Sequence, residues 1–277
     1  MTEITARHLE QEAAHPLSKL LRNVKGIIFD FDGTLFDNIR FAFYLIAAHP
    51  TDILRVWKER LVRKSLAGCD YFSADAYHRV FFSALGKACR RSPDQMRAWY
   101  FNNYMQRMTR VLKKHYKLRP GVAELLRNES KDQGDSGENF FFRAFPKLGI
   151  YSDYPLLKER MEALGLKTGP NITLYGPESF GAQKPAVRPF LQIAGDFGVK
   201  PDEVLVIGDR EETDGLGAFN AGMHFFCIET GHRRYYRLDP YRRPPDKKPN
   251  GPSLLMHAGP WGDLLGILQN HSNSFKR

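Results

Sequence analysis

Two carboxylates set two residues apart, at the end of an apolar run, are the first groups in this chain able to do chemistry together. Residues 25–37 read Lys-Gly-Ile-Ile-Phe-Asp-Phe-Asp-Gly-Thr-Leu-Phe-Asp. On an extended strand, positions i and i+2 face the same side. Asp30 and Asp32 therefore project together from the end of a buried strand. Gly33 lets the backbone turn sharply and approach a ligand closely. Two convergent acids beside exposed backbone N–H groups suit a divalent cation and a phosphate at once.

The elements that must position these acids follow from periodicity. Residues 1–23 read as a polar, helical N-terminal arm. Segments 40–49, 52–66, 75–90 and 93–116 place apolar residues at helical spacing, so 38–117 is an all-helical insertion. Ser92, Pro93 and Asp94 make a helix start: a capping hydroxyl, a proline in the first turn, then an acid. Leu118-Arg-Pro-Gly returns the chain to the core, and 124–127 predicts a short helix. Residues 128–139 lack any apolar side chain and read as a surface loop. The Phe140-Phe-Phe run after it needs cover, from the sheet or from the helical insertion. Strands at 148–151, 172–175, 204–207 and 224–228 then alternate with helices at 155–164, 187–195 and 214–221. That alternation predicts an α/β fold, a doubly wound, mostly parallel sheet with helices on both faces. Ligands in such sheets bind beyond the carboxyl ends of the strands, where the acidic motifs fall.

Composition sets bounds on function. The chain has 277 residues, 42% hydrophobic and 13% aromatic, which supplies a packed core and excludes global disorder. Cys69, Cys89 and Cys227 form no paired motif and read as reduced thiols of a cytoplasmic protein. The most apolar stretch, 41–48, is too short to span a bilayer. The formal charge is +10, and half of it lies in 232–249, where seven basic residues face Asp239 and Asp246. Tyr235, Tyr236 and Tyr241 are interleaved with these charges. Such a segment binds nucleic acid through phosphate neutralisation and base stacking, or forms a solvated tail over an acidic surface.

The first motif resembles that of the haloacid dehalogenase superfamily, and three further elements follow in that family's order. Leu148-Gly-Ile-Tyr-Ser152 is similar to the second motif, a strand ending in a hydroxyl. Gly181-Ala-Gln-Lys184-Pro resembles the third, a lysine just before a helix. Residues 204–214, with Gly-Asp209 at a strand end and Asp214 five residues later, resemble the fourth. The likeness covers about 24–37 and 118–230, and four motifs in order are far more specific than one. It implies a Rossmann-like core at 24–37 and 118–232, a mobile helical cap at 38–117 and a basic extension at 233–277.

The resemblance also implies roles. Asp30 is the nucleophile, already ionised at neutral pH and in need of no base to attack phosphorus. Asp32 is the general acid for the leaving alcohol, then the base for water. Mg2+ is held by Asp30, the backbone carbonyl of Asp32 and Asp209, with Asp214 orienting its waters. Ser152 and the Gly33–Thr34 backbone hold phosphate oxygens, and Lys184 offsets charge on Asp30 and the phosphoryl group. Asp153 adjoins this phosphate site and brings a negative charge to it. Taken singly, Ser152 also reads as a helix cap ahead of Tyr154, Lys184 as an exposed lysine, and Glu211 and Glu212 as rival ligands. Relatives that act on carbon–halogen or phosphonate bonds lack an acid at the position of Asp32, and a halide leaves without a proton. Phosphomonoester hydrolysis of a small metabolite is therefore the expected activity. A phosphomutase, a phosphatase of nucleic-acid ends guided by the basic tail, and a silent binding protein on the same fold remain as alternatives. In the cap, Arg55, Arg60, Arg63, Lys64, Arg107 and Arg110 are candidates to meet an anionic substrate. No feature of the sequence chooses among them, or fixes the oligomeric state.

Overall fold

The computed structural model describes residues 16–126, 140–167, 169, 171–229, 254 and 256–274. The polar loop 128–139 and the basic, tyrosine-rich stretch 232–249 lie outside the described residues. Six strands form one parallel sheet: β1 (Gly26–Asp30), β2 (Lys147–Tyr151), β3 (Ile172–Tyr175), β4 (Val204–Gly208), β5 (His224–Glu229) and β6 (Met256–Pro260). Their spatial order is β3-β2-β1-β4-β5-β6, with β1 central and paired in parallel with both β2 and β4. Every residue of β1 is buried, as expected for a strand covered on both faces. Its side chains alternate between two cores. Ile27 and Phe29 join one apolar cluster with Leu148, Ile150, Leu205 and Ile207. Ile28 joins the other, with Val204, Val206, Phe225 and the helix Val187–Phe197. Truncating a fully buried phenylalanine such as Phe29 in this arrangement costs about 3–5 kcal/mol.

Between β1 and β2 run the helices Phe41–Ala47, Ile53–Ser65, Ala74–Cys89, Pro93–Trp99 and Gln106–His115. Ser92 caps the fourth of these by a full capping box with Gln95. The expected single helix over 93–116 contains a π-helical turn at Tyr100–Met105. That turn carries Tyr100 and Tyr104 to the interior, each almost wholly buried. The insertion is stitched to the sheet-side loop before Val187–Phe197. The Tyr71 N–H donates to the Gly181 carbonyl at 3.0 Å and the Gln183 N–H to the Cys69 carbonyl at 3.1 Å. Arg188 grips Asp70 through two nitrogens at 2.7 and 2.6 Å.

Two features differ from the sequence reading. Phe141 and Phe142, after the polar loop, pack with the C-terminal helix Trp261–Asn273, a cover that the sequence reading does not name. Helix Phe140–Ala144 packs on it, and Phe145 lies 5.3 Å from the His271 ring. The sheet also has a sixth strand, β6, built from Met-His-Ala-Gly-Pro. This stretch has no β-branched residue and two helix- and strand-weakening ones, so propensity gives no sign of it. Its pairing with β5 over Met256–Pro260 supplies the order that composition does not. Among the described residues, no helix is long and apolar enough to cross a membrane.

Candidate active site

β1 ends at Asp30, so its carboxylate emerges at the carboxyl edge of the central strand, 8% exposed. Thr34, fully buried one turn later, donates its hydroxyl to Asp30 Oδ2 at 2.9 Å. Lys184 Nζ lies 2.6 Å from Asp30 Oδ1, 2.7 Å from Asp214 Oδ1 and 2.9 Å from the Tyr151 carbonyl. Burial pushes the Asp30 carboxyl up to about 7; Lys184 opposes the shift, and the Asp214 and Asp32 charges add to it. Burial also opposes the Lys184 charge, yet Asp214, Asp30 and Asp153 outweigh it and hold the ammonium well above the usual lysine range. Lys184 is thus a fixed cation of the site rather than an exposed lysine.

Asp209 follows β4, and Asp214 sits in the π-helical turn Glu211–Gly215; both are buried. Asp30, Asp209 and Asp214 each offer a carboxylate oxygen, all within 4.8 Å of one another. Burial raises the Asp214 carboxyl as well, with Lys184 opposing. Of these three buried carboxylates two contact the Lys184 ammonium, and an all-oxygen donor set suits a hard divalent cation. The residues present therefore fit a metal of that class. Glu211 and Glu212 are not in this group among the described residues, and Glu212 instead pairs with Arg210 at 3.0 Å. Gly33 makes the approach of Asp209 possible. Its φ is +96°, and a Cβ there would stand 2.3 Å from Asp209 Oδ2.

Asp32 lies beyond the last residue of β1 and turns toward different partners. Its Oδ1 is ion-paired with the Arg160 guanidinium, and its Oδ2 accepts from Ser152 Oγ at 3.1 Å. Arg160 is entirely buried, 4.7 Å over the Phe31 ring, and donates to Ser152 Oγ at 3.1 Å. The Ser152 oxygen also accepts the Tyr154 N–H at 3.1 Å, so the capping role and a place in the site are compatible. Asp153 Oδ1 accepts the Lys184 backbone N–H at 3.0 Å, and burial raises its carboxyl against the pull of Lys184. Its charge is tied to the lysine loop.

For two residues that organise the site the sequence gives no signal, and a third, Arg63, is one of six cap cations among which it does not choose. Arg160 sits in a stretch, Leu157–Ala163, that reads as an ordinary charged helix. Arg119 spans the turn after β1, donating to the Thr34 carbonyl at 2.9 Å and the Gly33 carbonyl at 2.8 Å. Arg63, on helix Ile53–Ser65, donates to the Asp153 carbonyl at 2.8 Å and pairs with fully buried Glu59 at 2.6 Å. Of the other cap cations, Arg107 is buried on Asp52, and Arg55 pairs with the same acid. A cavity of about 780 Å³ opens over the site, with Asp32, Asp153 and Lys184 on the sheet side and Arg63, Tyr104 and Met108 on the insertion.

A buried carboxylate at a strand end, a buried lysine, a hydroxyl and a Gly-Asp acid pair recur here in the order given by the sequence motifs. The haloacid dehalogenase-like hydrolase family model matches residues 24–222. The chain belongs to this family. Over 63 residues this hydrolase is 38% identical to the glyceraldehyde 3-phosphate phosphatase of Methanopyrus kandleri. That stretch is 23% of this chain and 26% of the relative, so the chain spans about a quarter of the length of the curated relative it matches. Among solved structures, a hydrolase from Pseudomonas syringae is 22% identical, with a TM-score of 0.56 over 89% of this chain and 98% of that one. A 2-haloacid dehalogenase from Pseudomonas syringae pv. Tomato DC3000 is 19% identical, with a TM-score of 0.53 over 89% and 99%. Such likeness is one of fold. The choice of reaction within the family rests on the side chains of this hydrolase.

Proposed function

We propose that the chain is a Mg2+-dependent phosphomonoester hydrolase that works through an aspartyl-phosphate on Asp30 and acts on a small phosphorylated metabolite. The observation that carries this reading is the setting of Asp30: a buried carboxylate held by Thr34 and Lys184, with a second acid two residues on. A carboxylate oxygen of Asp30 attacks phosphorus, and the bond from phosphorus to the ester oxygen breaks. Asp32 gives its proton to the departing alkoxide, then takes one from the water that hydrolyses the acyl phosphate. A halide would need no such proton, which is why Asp32 favours the phosphatase reading over a dehalogenase on the same fold. Arg160 and Ser152 hold the Asp32 carboxylate between turnovers. Ser152 Oγ and the backbone N–H groups of Gly33, Thr34 and Asp153 receive phosphoryl oxygens, and Lys184 offsets their charge. Asp30, Asp209 and the Asp32 carbonyl would hold Mg2+, with Asp214 behind them, and the bound ion would neutralise charge on the phosphoryl oxygens. The helical insertion covers the cavity and excludes water. Free Cys69, Cys89 and Cys227 are in keeping with a cytoplasmic enzyme.

The test is phosphate release from a panel of phosphomonoesters, with Mg2+ and with chelator, for wild type and Asp30→Asn. Metal-dependent release by wild type and none by the variant is expected. Release retained by folded Asp30→Asn would overturn the reading.

A further inference from the structure

Helix Ile53–Ser65 presents Arg60, Arg63 and Lys64 to the cavity over the site. Positions three and four apart share one helical face. Val56, Glu59 and Val62 of the same helix are buried and hold it against the insertion's core. The register of this helix over the sheet is fixed by Arg63. Its guanidinium pairs with Glu59, donates to the Tyr100 hydroxyl at 2.7 Å and to the Asp153 carbonyl at 2.8 Å, and lies 4.1 Å over the Tyr154 ring. Lys64 is the next residue, and Arg60 lies one turn back, about 6 Å along the axis from Lys64. Burial and then Glu59 push the Tyr154 and Tyr104 phenols up, and the Arg60 charge opposes both shifts. Its charge is therefore felt beside the rings that wall the cavity.

Arg40 is a further exposed cation of the lining, and the remaining charges there are already engaged. Asp32 is paired with Arg160, Glu212 with Arg210, and Lys184 with Asp30 and Asp214. Asp153 takes the Lys184 N–H. Among the described residues, no ion pair engages Arg60 or Lys64. Two cations on a clamped helix thus face the space beyond the phosphoryl site, where the alcohol portion of an ester would lie.

We infer that the substrate of this hydrolase carries a second anionic group on its leaving-group side, a carboxylate or a second phosphate, bound by Arg60 and Lys64. The inference rests on the phosphatase reading above and adds the chemical class of the ester. A leaving group ending in a neutral hydroxyl leaves both cations to water, and an anionic end receives two charge-assisted hydrogen bonds. Because both side chains are exposed at the cavity mouth, their replacement leaves the core intact.

The test uses three esters of one three-carbon skeleton, ending in an alcohol, a carboxylate or a second phosphate. kcat/KM is measured with Mg2+ for wild type, Arg60→Gln, Lys64→Gln and the double variant. Wild type should favour at least one anionic ester over the alcohol, and the favoured one identifies the group. Each substitution should lower that preference by roughly tenfold, the order expected of a partly exposed charged contact. The double variant should bring the ratio near one, and added salt should shrink the wild-type ratio. Hydrolysis of all three esters at equal efficiency by wild type, or a preference unchanged in the double variant, would overturn this inference and leave the phosphatase reading standing. Failure of wild type to hydrolyse any of them, or any broader set of phosphomonoesters, would overturn both.

Discussion

Replacing the central carboxylate should stabilise the metal-free protein. Burial lifts the Asp30 carboxyl from 3.8 to about 7, so the native state binds that proton more tightly than the unfolded chain does. Between these two values the native state holds more protons, and stability falls as pH rises. Each tenfold change in proton affinity is worth about 1.4 kcal/mol, so the ionised Asp30 costs the native state about 4 kcal/mol above pH 7. Asn removes the charge, keeps the shape and still accepts from Lys184. In chelator at about pH 8, Asp30→Asn should therefore be the more stable protein, by up to about 4 kcal/mol, and the gap should close toward about pH 4. Added Mg2+ should reverse the order, because a cation bound to the carboxylate cluster stabilises wild type by mass action. Urea midpoints at equal m values read the difference directly. A variant less stable than wild type at the higher pH in chelator, or a gap that ignores pH, would refute the reasoning.

Two further outcomes follow from other buried ion pairs. Burial opposes the Asp52 charge, but hydrogen bonds from Arg107 and Trp99 outweigh it and hold the carboxyl below its ordinary value. Its contribution is present above the unfolded value of 3.8 and lost as pH falls through the native one. Asp52→Asn should cost about 3 kcal/mol at neutral pH, by thermal or chemical denaturation, and progressively less in acid. Arg160→Met should release Asp32 from its tether, so hydrolysis of alkyl phosphates should fall more steeply than that of an aryl phosphate whose leaving group needs no proton; an equal loss on both would show that Arg160 only supports the fold.

Much of the sheet and the acidic motifs was legible because the signals are local. Ile27, Ile28 and Phe29 form a continuous apolar run, and such runs in alternation with helical periodicity specify a parallel sheet. Asp30, Ser152, Lys184 and Asp209 could be placed at strand ends and loop positions because those strands end where the apolar runs do. The hidden part is tertiary. Arg63, Arg119 and Arg160 look like solvated charges in the sequence, and only the fold shows that each is turned inward onto carbonyls or a carboxylate. Glu59 is fully buried for the same reason, its charge matched by a residue one turn later. β6 was illegible because its order comes from β5 and not from its own residues. The cover over Phe141 and Phe142 comes from a helix more than a hundred residues away in sequence, a separation that periodicity does not reach.

The central claim is that the phosphoryl group passes through Asp30. Wild-type protein with Mg2+ is mixed with an ester labelled in its phosphate, quenched in acid within a single turnover, and digested to peptides. The account predicts label on the peptide containing Asp30, removed by hydroxylamine and absent in Asp30→Asn. Full turnover with no label on protein at any time, and transfer directly to water, would contradict it.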